Sequence, residues 1–192
     1  MDTTAPLSLV KGEKVNLSKD HASLVRASIG LGWDVNQSGG AFDLDASVFL
    51  LNKDAKLSNE KNFVFFNNLN SSCGSVSHTG DNLTGAGDGD DETINVDLSK
   101  VPEDVNEIHV IANIYQGEVR KQNFGQVKNA FVRIYNTDTK AEILKYDLGE
   151  DFSSETAVVF GRLYRHNGEW KFEATGTGEK AGLDVYLAKY KA

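Results

Sequence analysis

Short segments in which apolar and polar residues alternate most constrain the fold of this chain. In residues 42–51 every second residue from Leu44 to Leu50 is apolar, and Asp43 and Asp45 occupy alternate positions. A period of two is typical of a β-strand with one buried face. Other segments rich in β-branched and aromatic residues are also predicted to be strands: 23–30, 62–66, 93–98, 107–115, 130–135, 142–148, 157–164 and 169–174.

The connections between these segments indicate the fold class. Asn167-Gly168 separates the last two segments, and an Asn-Gly pair between apolar runs predicts a β-hairpin. Helical spacing of apolar residues is confined to 118–128 and 183–191. Many short strands joined by glycine-rich turns predict an all-β chain, a β-sandwich with short helices. With no linker or repeat, we expect a single domain over residues 1–192.

The composition excludes several function classes. The net charge is −8, whereas nucleic-acid binders need basic surfaces, so no nucleic-acid partner is expected. Cys73 is the single cysteine, which excludes an intramolecular disulfide and does not suit reduction chemistry that consumes several thiols. No signal-peptide pattern or apolar run of bilayer length is present. We therefore expect a cytoplasmic protein, with peripheral association at the inner face of the membrane as an alternative.

One segment concentrates acidic residues. Between Gly80 and Glu92, five carboxylates and four glycines fall within thirteen residues. Glycines allow such a segment to fold tightly, and carboxylates held close together repel one another. The segment therefore needs a cation, or it stays open as a solvated surface turn. Its candidate ligands are Asp81, Asp88, Asp90, Asp91 and Glu92.

Further oxygen donors lie outside this segment. Asp43 and Asp45 are two residues apart on a predicted strand, so their side chains share a face. Asn67 and Asn68 follow another predicted strand, and Asp34 follows a third. All these groups are hard oxygen donors, which calcium accepts in sets of six to eight with flexible geometry. The pattern predicts Ca²⁺, held in loops at one end of the sandwich. It is not an EF-hand, because the glycine required at the sixth loop position is missing.

Several longer motifs occur in order between about residue 7 and residue 178. They are Gly30-Leu31-Gly32-Trp33-Asp34, Phe42-Asp43-Leu44-Asp45-Ala46-Ser47, Gly80-Asp81-Asn82-Leu83-Thr84-Gly85, Gly89-Asp90-Asp91-Glu92, Arg120-Lys121-Gln122-Asn123-Phe124-Gly125-Gln126-Val127, Ser154-Glu155-Thr156-Ala157 and Leu163-Tyr164-Arg165. In these motifs the chain resembles the TerD family of tellurite-resistance and general stress proteins.

The resemblance implies a β-sandwich that binds calcium in acidic loops. It also implies a role in resistance to tellurite and related stresses, alongside other stress proteins that include a membrane-anchored partner. The ligands it implies are Asp43, Asp45, Asn67, Asn68, Asp81, Asp90, Asp91 and Glu92, with Asp34 and Asp88 as further candidates. The chain departs from the family at residues 114–117, where relatives often carry an acidic residue, and in its more charged tail after Gly178.

Three functions compete on these features. The first is a calcium-binding stress module that assembles with partners and is not an enzyme. The second is a calcium-dependent binder of anionic membranes, which needs apolar or basic residues beside the acidic loops; Leu83 is the sole large apolar residue between Gly80 and Glu92. The third is a metal-dependent hydrolase, with His78 as a candidate base. No nucleophile motif supports the third function.

Overall fold

The computed structural model describes residues 7–8, 11–35, 40–86, 89–148 and 152–191, which form two β-sheets and a few short helices. The strands are β1 (Leu7–Ser8), β2 (Lys14–Val15), β3 (Arg26–Gly32), β4 (Leu44–Leu51), β5 (Phe63–Val64), β6 (Val76–His78), β7 (Glu92–Asp97), β8 (Glu107–Ile114), β9 (Phe131–Asn136), β10 (Glu142–Asp147), β11 (Ala157–His166), β12 (Glu169–Glu173) and β13 (Thr177–Glu179). The helices are α1 (Leu17–Asp20), α2 (Gly117–Arg120) and α3 (Leu183–Lys191), with 3₁₀ turns at Glu60–Asn62 and Phe124–Gln126.

The first sheet has the strand order β1-β10-β9-β3-β7-β6, and the second has β2-β12-β11-β8-β4-β5, with β13 also paired to β11. The described pairings are antiparallel except that of β1 with β10. The predicted all-β class and sandwich are confirmed.

A single apolar core lies between the sheets. The face of β4 that carries Leu44, Ala46, Val48 and Leu50 is buried in it, as the alternation predicts. The opposite face of β4 is also shielded from solvent, because Phe49 belongs to a second apolar cluster that is covered by α3. Every residue of β4 is therefore buried, and the Asp45 side chain is withdrawn from solvent.

Two local predictions are confirmed. Asn167 and Gly168 both have positive φ angles, 54° and 79°, and they close a two-residue hairpin between β11 and β12. The Asn-Gly pair suits this turn because both central positions need left-handed backbone angles. The predicted helix at 183–191 is α3.

The predicted helix at 118–128 forms only in part. Helical structure there is limited to α2, which ends where Lys121 takes a left-handed conformation, and to the 3₁₀ turn at Phe124–Gln126. The chain then turns inward and buries Phe124 completely, with its N–H bonded to the carbonyl of Glu155. Burial of one aromatic side chain outweighs the weak helical pattern. The predicted strand at 62–66 is also shorter than expected, since only β5 is extended.

Candidate metal centre

Several strand ends meet at one end of the sandwich. β4 begins where β8 ends, with Asp45 opposite Asn113. β7 begins where β3 ends, with Glu92 opposite Leu31. The Glu92 carboxylate joins the two sheets there, because its Oε2 accepts a hydrogen bond from the N–H of Ala46 at 2.7 Å. Antiparallel pairing thereby gathers residues that are far apart in the sequence.

Asp43 and Asp45 are buried at this end. Asp43 is 7% exposed and Asp45 only 2% exposed. Two contacts hold them to β8: Asn113 Nδ2 donates to Asp45 Oδ2 at 2.9 Å, and the N–H of Tyr115 donates to the carbonyl of Asp43 at 2.7 Å. Both carboxylates are therefore carried by a rigid pair of strands.

Asp81 reaches the same place from the segment that follows β6. It is exposed, and the residue after it anchors the segment. Asn82 Nδ2 donates to Asp91 Oδ1 at 3.0 Å, and Asn82 Oδ1 accepts from the N–H of Gly85 at 3.2 Å. Asp91 in turn accepts from the N–H of Trp33 at 2.9 Å through its second oxygen. The position of Asp81 thus depends on a chain of polar contacts back to the end of β3.

The three carboxylates surround a cavity of about 180 Å³. One oxygen from each of Asp43, Asp45 and Asp81 lies within 4.8 Å of the other two. The remaining lining residues are Phe66, Leu83 and Tyr115. The rings of Phe66 and Tyr115 pack edge to face, with their centroids 5.9 Å apart. The cavity therefore has an acidic side and an apolar side.

Burial dominates the electrostatics of this cavity. Burial, together with the nearby Glu92, Asp43 and Asp81 carboxylates, raises the pKa of Asp45 to about 8, against the opposing hydrogen bond from Asn113. Burial also raises the pKa of Asp43, although the guanidinium of Arg120, 3.6 Å from its Oδ2, opposes this effect. Without a cation, the carboxylates are held where ionisation is unfavourable.

The donor set fits a calcium ion. Calcium–oxygen distances are about 2.3–2.6 Å, so two ligands on opposite sides of the ion are at most about 5.2 Å apart. The separations among the three carboxylates lie below this limit. In the described part of the chain, Asp43 Oδ1 is buried without a hydrogen-bond partner. A bound cation would supply the interaction that this oxygen lacks.

Asp90, another predicted ligand, has a different partner. Its two oxygens accept from Nε and Nη2 of Arg133 at 2.7 and 3.0 Å, and Arg133 also contacts Glu142 at 3.0 Å. The hydrogen bonds that Arg133 donates to Asp90 raise the pKa of Arg133. The Asp90 carboxylate lies directly over Gly30, where any side chain would collide with it. In this arrangement Asp90 ties the acidic segment to the first sheet.

The other predicted ligands that the structure describes do not line the cavity. Glu92 is buried and contacts the N–H groups of Ala46 and Asn82, with its Oε2 3.4 Å from His78 Nε2. Asp91 uses both oxygens in the contacts described above. Asp34 accepts from Asn129, Asn68 donates to the carbonyls of Lys61 and Phe63, and Asn67 is exposed. Asp88 lies outside the described residues.

Sequence reasoning missed most of the supporting residues. Asn113, which orients Asp45, lies in a strand predicted only as an apolar run. Tyr115 occupies the stretch where the family often has an acidic residue, and it lines the cavity. Arg120 enters the sequence analysis only as part of a family motif, yet its guanidinium lies 5.3 Å from the centre of the Tyr115 ring, beside Asp43. Only the register of β4 with β8 reveals these contacts.

His78, the candidate base, is buried beside the acidic segment and does not line the cavity. Its Nδ1 accepts from the N–H of Gly80 at 3.0 Å, so the ring proton resides on Nε2, facing Glu92. Its contacts are those of a residue that supports the segment. Among the described residues, no helix is long and apolar enough to cross a membrane.

Comparison with known proteins identifies the family. The family model described as the TerD domain matches residues 6–190. The chain belongs to the TerD family. General stress protein 16U of Bacillus subtilis (strain 168) is 54% identical over 186 residues, covering 96% of each chain. Tellurium resistance protein TerD of Serratia marcescens is 51% identical over 185 residues, again covering 96% of each.

Solved structures support the TerD fold. The crystal structure of a homologue of telluride resistance protein (TerD) from Streptomyces coelicolor A3(2) superposes with a TM-score of 0.72 at 20% identity. The match covers 85% of this chain and 95% of that one. At this level of identity the likeness concerns the fold alone, and it agrees with the two sheets described above.

Proposed function

We propose that this TerD-family chain is a calcium-binding module of the response to tellurite and related stresses, and that it acts by binding and assembly, without catalysis. The observation that carries the proposal is the convergence of Asp43, Asp45 and Asp81 on one cavity. The names of the relatives, a general stress protein and a tellurium resistance protein, support the stress role.

The size of the cavity favours an ion over an organic substrate. Sites for small organic molecules usually occupy about 300–1,000 Å³. The cavity here has about 180 Å³, room for a cation with a few waters or one small ligand group. A hydrolase would also need a base aimed at the bound water, whereas His78 faces Glu92. Both features favour a binding role.

Calcium is proposed to hold three parts of the chain together. Asp43 and Asp45 belong to the second sheet, and Asp81 comes from the segment that joins β6 to β7 in the first sheet. An ion bound to all three would fix this segment against the strands. Partners then recognise the ordered end of the sandwich, and the family suggests other stress and tellurite-resistance proteins, one of them membrane-anchored.

Calcium should stabilise the fold. A ligand that binds only the native state, at a hundred times its Kd, adds about 2.7 kcal/mol to the free energy of unfolding. For a domain of this size, each kcal/mol raises Tm by roughly 2–4 °C. We expect chelator-treated protein to gain about 5–10 °C in Tm on saturation with calcium and to show at least one site by calorimetric titration. An unchanged melting curve up to millimolar calcium contradicts the proposal.

Calcium should also be preferred over magnesium and zinc. Magnesium requires short distances of about 2.0–2.1 Å in a strict octahedron, whereas calcium tolerates longer and less regular contacts. Asp45 lies on β4 and Asp43 immediately precedes it, held by the Tyr115 N–H, so these two carboxylates cannot contract freely around a smaller ion. Zinc prefers nitrogen and sulfur, and the acidic trio contains only oxygen ligands. Competition titrations in which magnesium displaces calcium at equal concentration would count against this site.

A further inference from the structure

Exposed apolar side chains surround the mouth of the acidic cavity. Leu83, which lines it, is 58% exposed, and Tyr115, which also lines it, is 37% exposed. Val119 on α2 is 81% exposed, the highest value among the exposed large hydrophobic residues in the described part of the chain. The acidic segment itself contributes only Leu83 to this rim. The fold adds Tyr115 and Val119 from a second part of the chain.

α2 is held at this rim by specific contacts. It begins two residues after Tyr115, whose N–H donates to the carbonyl of Asp43. Arg120, one residue after Val119, contacts the Tyr115 ring and the Asp43 carboxylate. Left-handed backbone angles at Gln116 and Lys121 flank the helix and confine it to a single turn. Val119, Arg120 and Lys121 therefore form a compact turn beside the cavity.

The charge of this surface depends on the cavity. With the cavity empty, the acidic residues around it, on a chain of net charge −8, repel anionic surfaces. A bound calcium ion offsets two of those charges and leaves room for outside oxygen ligands, because three carboxylates do not fill a shell of six to eight. Arg120 and the exposed Lys121 then add positive charge at the rim.

We propose that this rim docks on anionic phospholipid membranes when calcium occupies the cavity; the inference rests on the calcium site proposed above. Phosphate or carboxylate oxygens of the lipid headgroups complete the calcium shell. Leu83 and Val119 enter the interfacial region, and Lys121 lies against neighbouring anionic headgroups. A few apolar side chains suit a membrane surface better than a stable protein interface, which buries about 800 Å² on each partner.

Vesicle co-sedimentation tests the inference. The full chain is mixed with vesicles of phosphatidylcholine alone, or of phosphatidylcholine with phosphatidylserine, in calcium or in chelator. We expect sedimentation only with the anionic vesicles in calcium. Leu83→Ser combined with Val119→Ser should weaken that binding at least about tenfold, because two apolar side chains lose their burial. Lys121→Gln should weaken it about fivefold.

A matched control and a separate calcium titration keep the outcomes distinct. Val25→Ser removes another exposed valine, 48% exposed, next to the start of β3 at the opposite end of the sandwich, and should leave vesicle binding unchanged. Normal calcium binding without vesicle binding overturns the membrane inference and leaves the calcium site standing. Binding of a protein partner at this rim in place of vesicles has the same consequence. Vesicle binding that is equal in calcium and in chelator also overturns it. Failure to bind calcium removes both proposals.

Discussion

Replacing Asp45 by Asn should reduce calcium affinity about a hundredfold or more. Asp45 is a proposed direct ligand, and substitutions of residues that merely orient a ligand already cost about 10–100-fold. Its strand is buried on both faces, so the backbone cannot shift to bring in a replacement oxygen. The metal-free variant should be as stable as the parent or more stable, since it no longer carries a carboxyl group that resists ionisation. Asparagine also keeps the acceptor that Asn113 uses.

Calorimetric titration and thermal melting measure both effects on the same samples. The control is Asp104→Asn, which makes the same chemical change at an exposed residue before β8, far from the cavity. It should change neither affinity nor Tm. If Asp45→Asn instead lowers Tm equally with and without calcium, Asp45 is a structural residue and the proposed site is misplaced.

Stability of the metal-free protein should fall as the pH rises from 5.5 to 7.5. The pKa of Asp45 is about 8 in the folded state, whereas its ordinary value, which applies to the unfolded chain, is 3.8. Between these values the unfolded chain has lost the proton that folded Asp45 keeps, so raising the pH favours unfolding. Asp43, Asp91 and Glu92 have pKa values shifted in the same direction by burial. Because each pKa unit is about 1.4 kcal/mol, we expect Tm to fall by several degrees.

Saturating calcium should abolish this fall of Tm with rising pH. The ion binds the ionised carboxylates and displaces their protons, so in saturating calcium Tm should stay level or rise over the same pH range. Carboxylates with lowered pKa values, such as Asp97 and Glu107, do not interfere, because they titrate below this range. Thermal melting in buffers of matched ionic strength is the measurement. If Tm does not change with pH in the absence of calcium, the pKa values of the cavity carboxylates are not raised by folding.

The alternation of residues was enough to predict the strand that carries the site. Leu44 and Ala46 had to face the core, which placed Asp43 and Asp45 together on the other face. The burial of that second face was not predictable, because it depends on α3 packing over Phe49 from the far end of the chain. The raised pKa of Asp45 was equally beyond local reasoning, because it follows from burial and from the Glu92 carboxylate, which the packing of the two sheets brings beside it.

The partners of the acidic segment were also beyond local reasoning. Asp81 and Asp90 lie in the same glycine-rich stretch and looked equivalent as ligands. Strand pairing separates them: Arg133 on β9 lies opposite Gly30 on β3, so its guanidinium meets Asp90, whereas Asp81 reaches the cavity. Spacing in a sequence identifies oxygen donors, but the choice between a cation and an arginine depends on which strands become neighbours.

The short outer strands of both sheets bear on self-association. Within the described residues, β1, β2 and β5 have two residues each and β6 has three. A long, unpaired outer strand is a template on which another copy can add its own backbone and begin an aggregate. β4 extends beyond β5, but the Glu92 carboxylate occupies its N–H at Ala46. The outer strands of one copy therefore present few unpaired backbone groups to another copy. This arrangement disfavours fibril-like pairing between copies at high concentration.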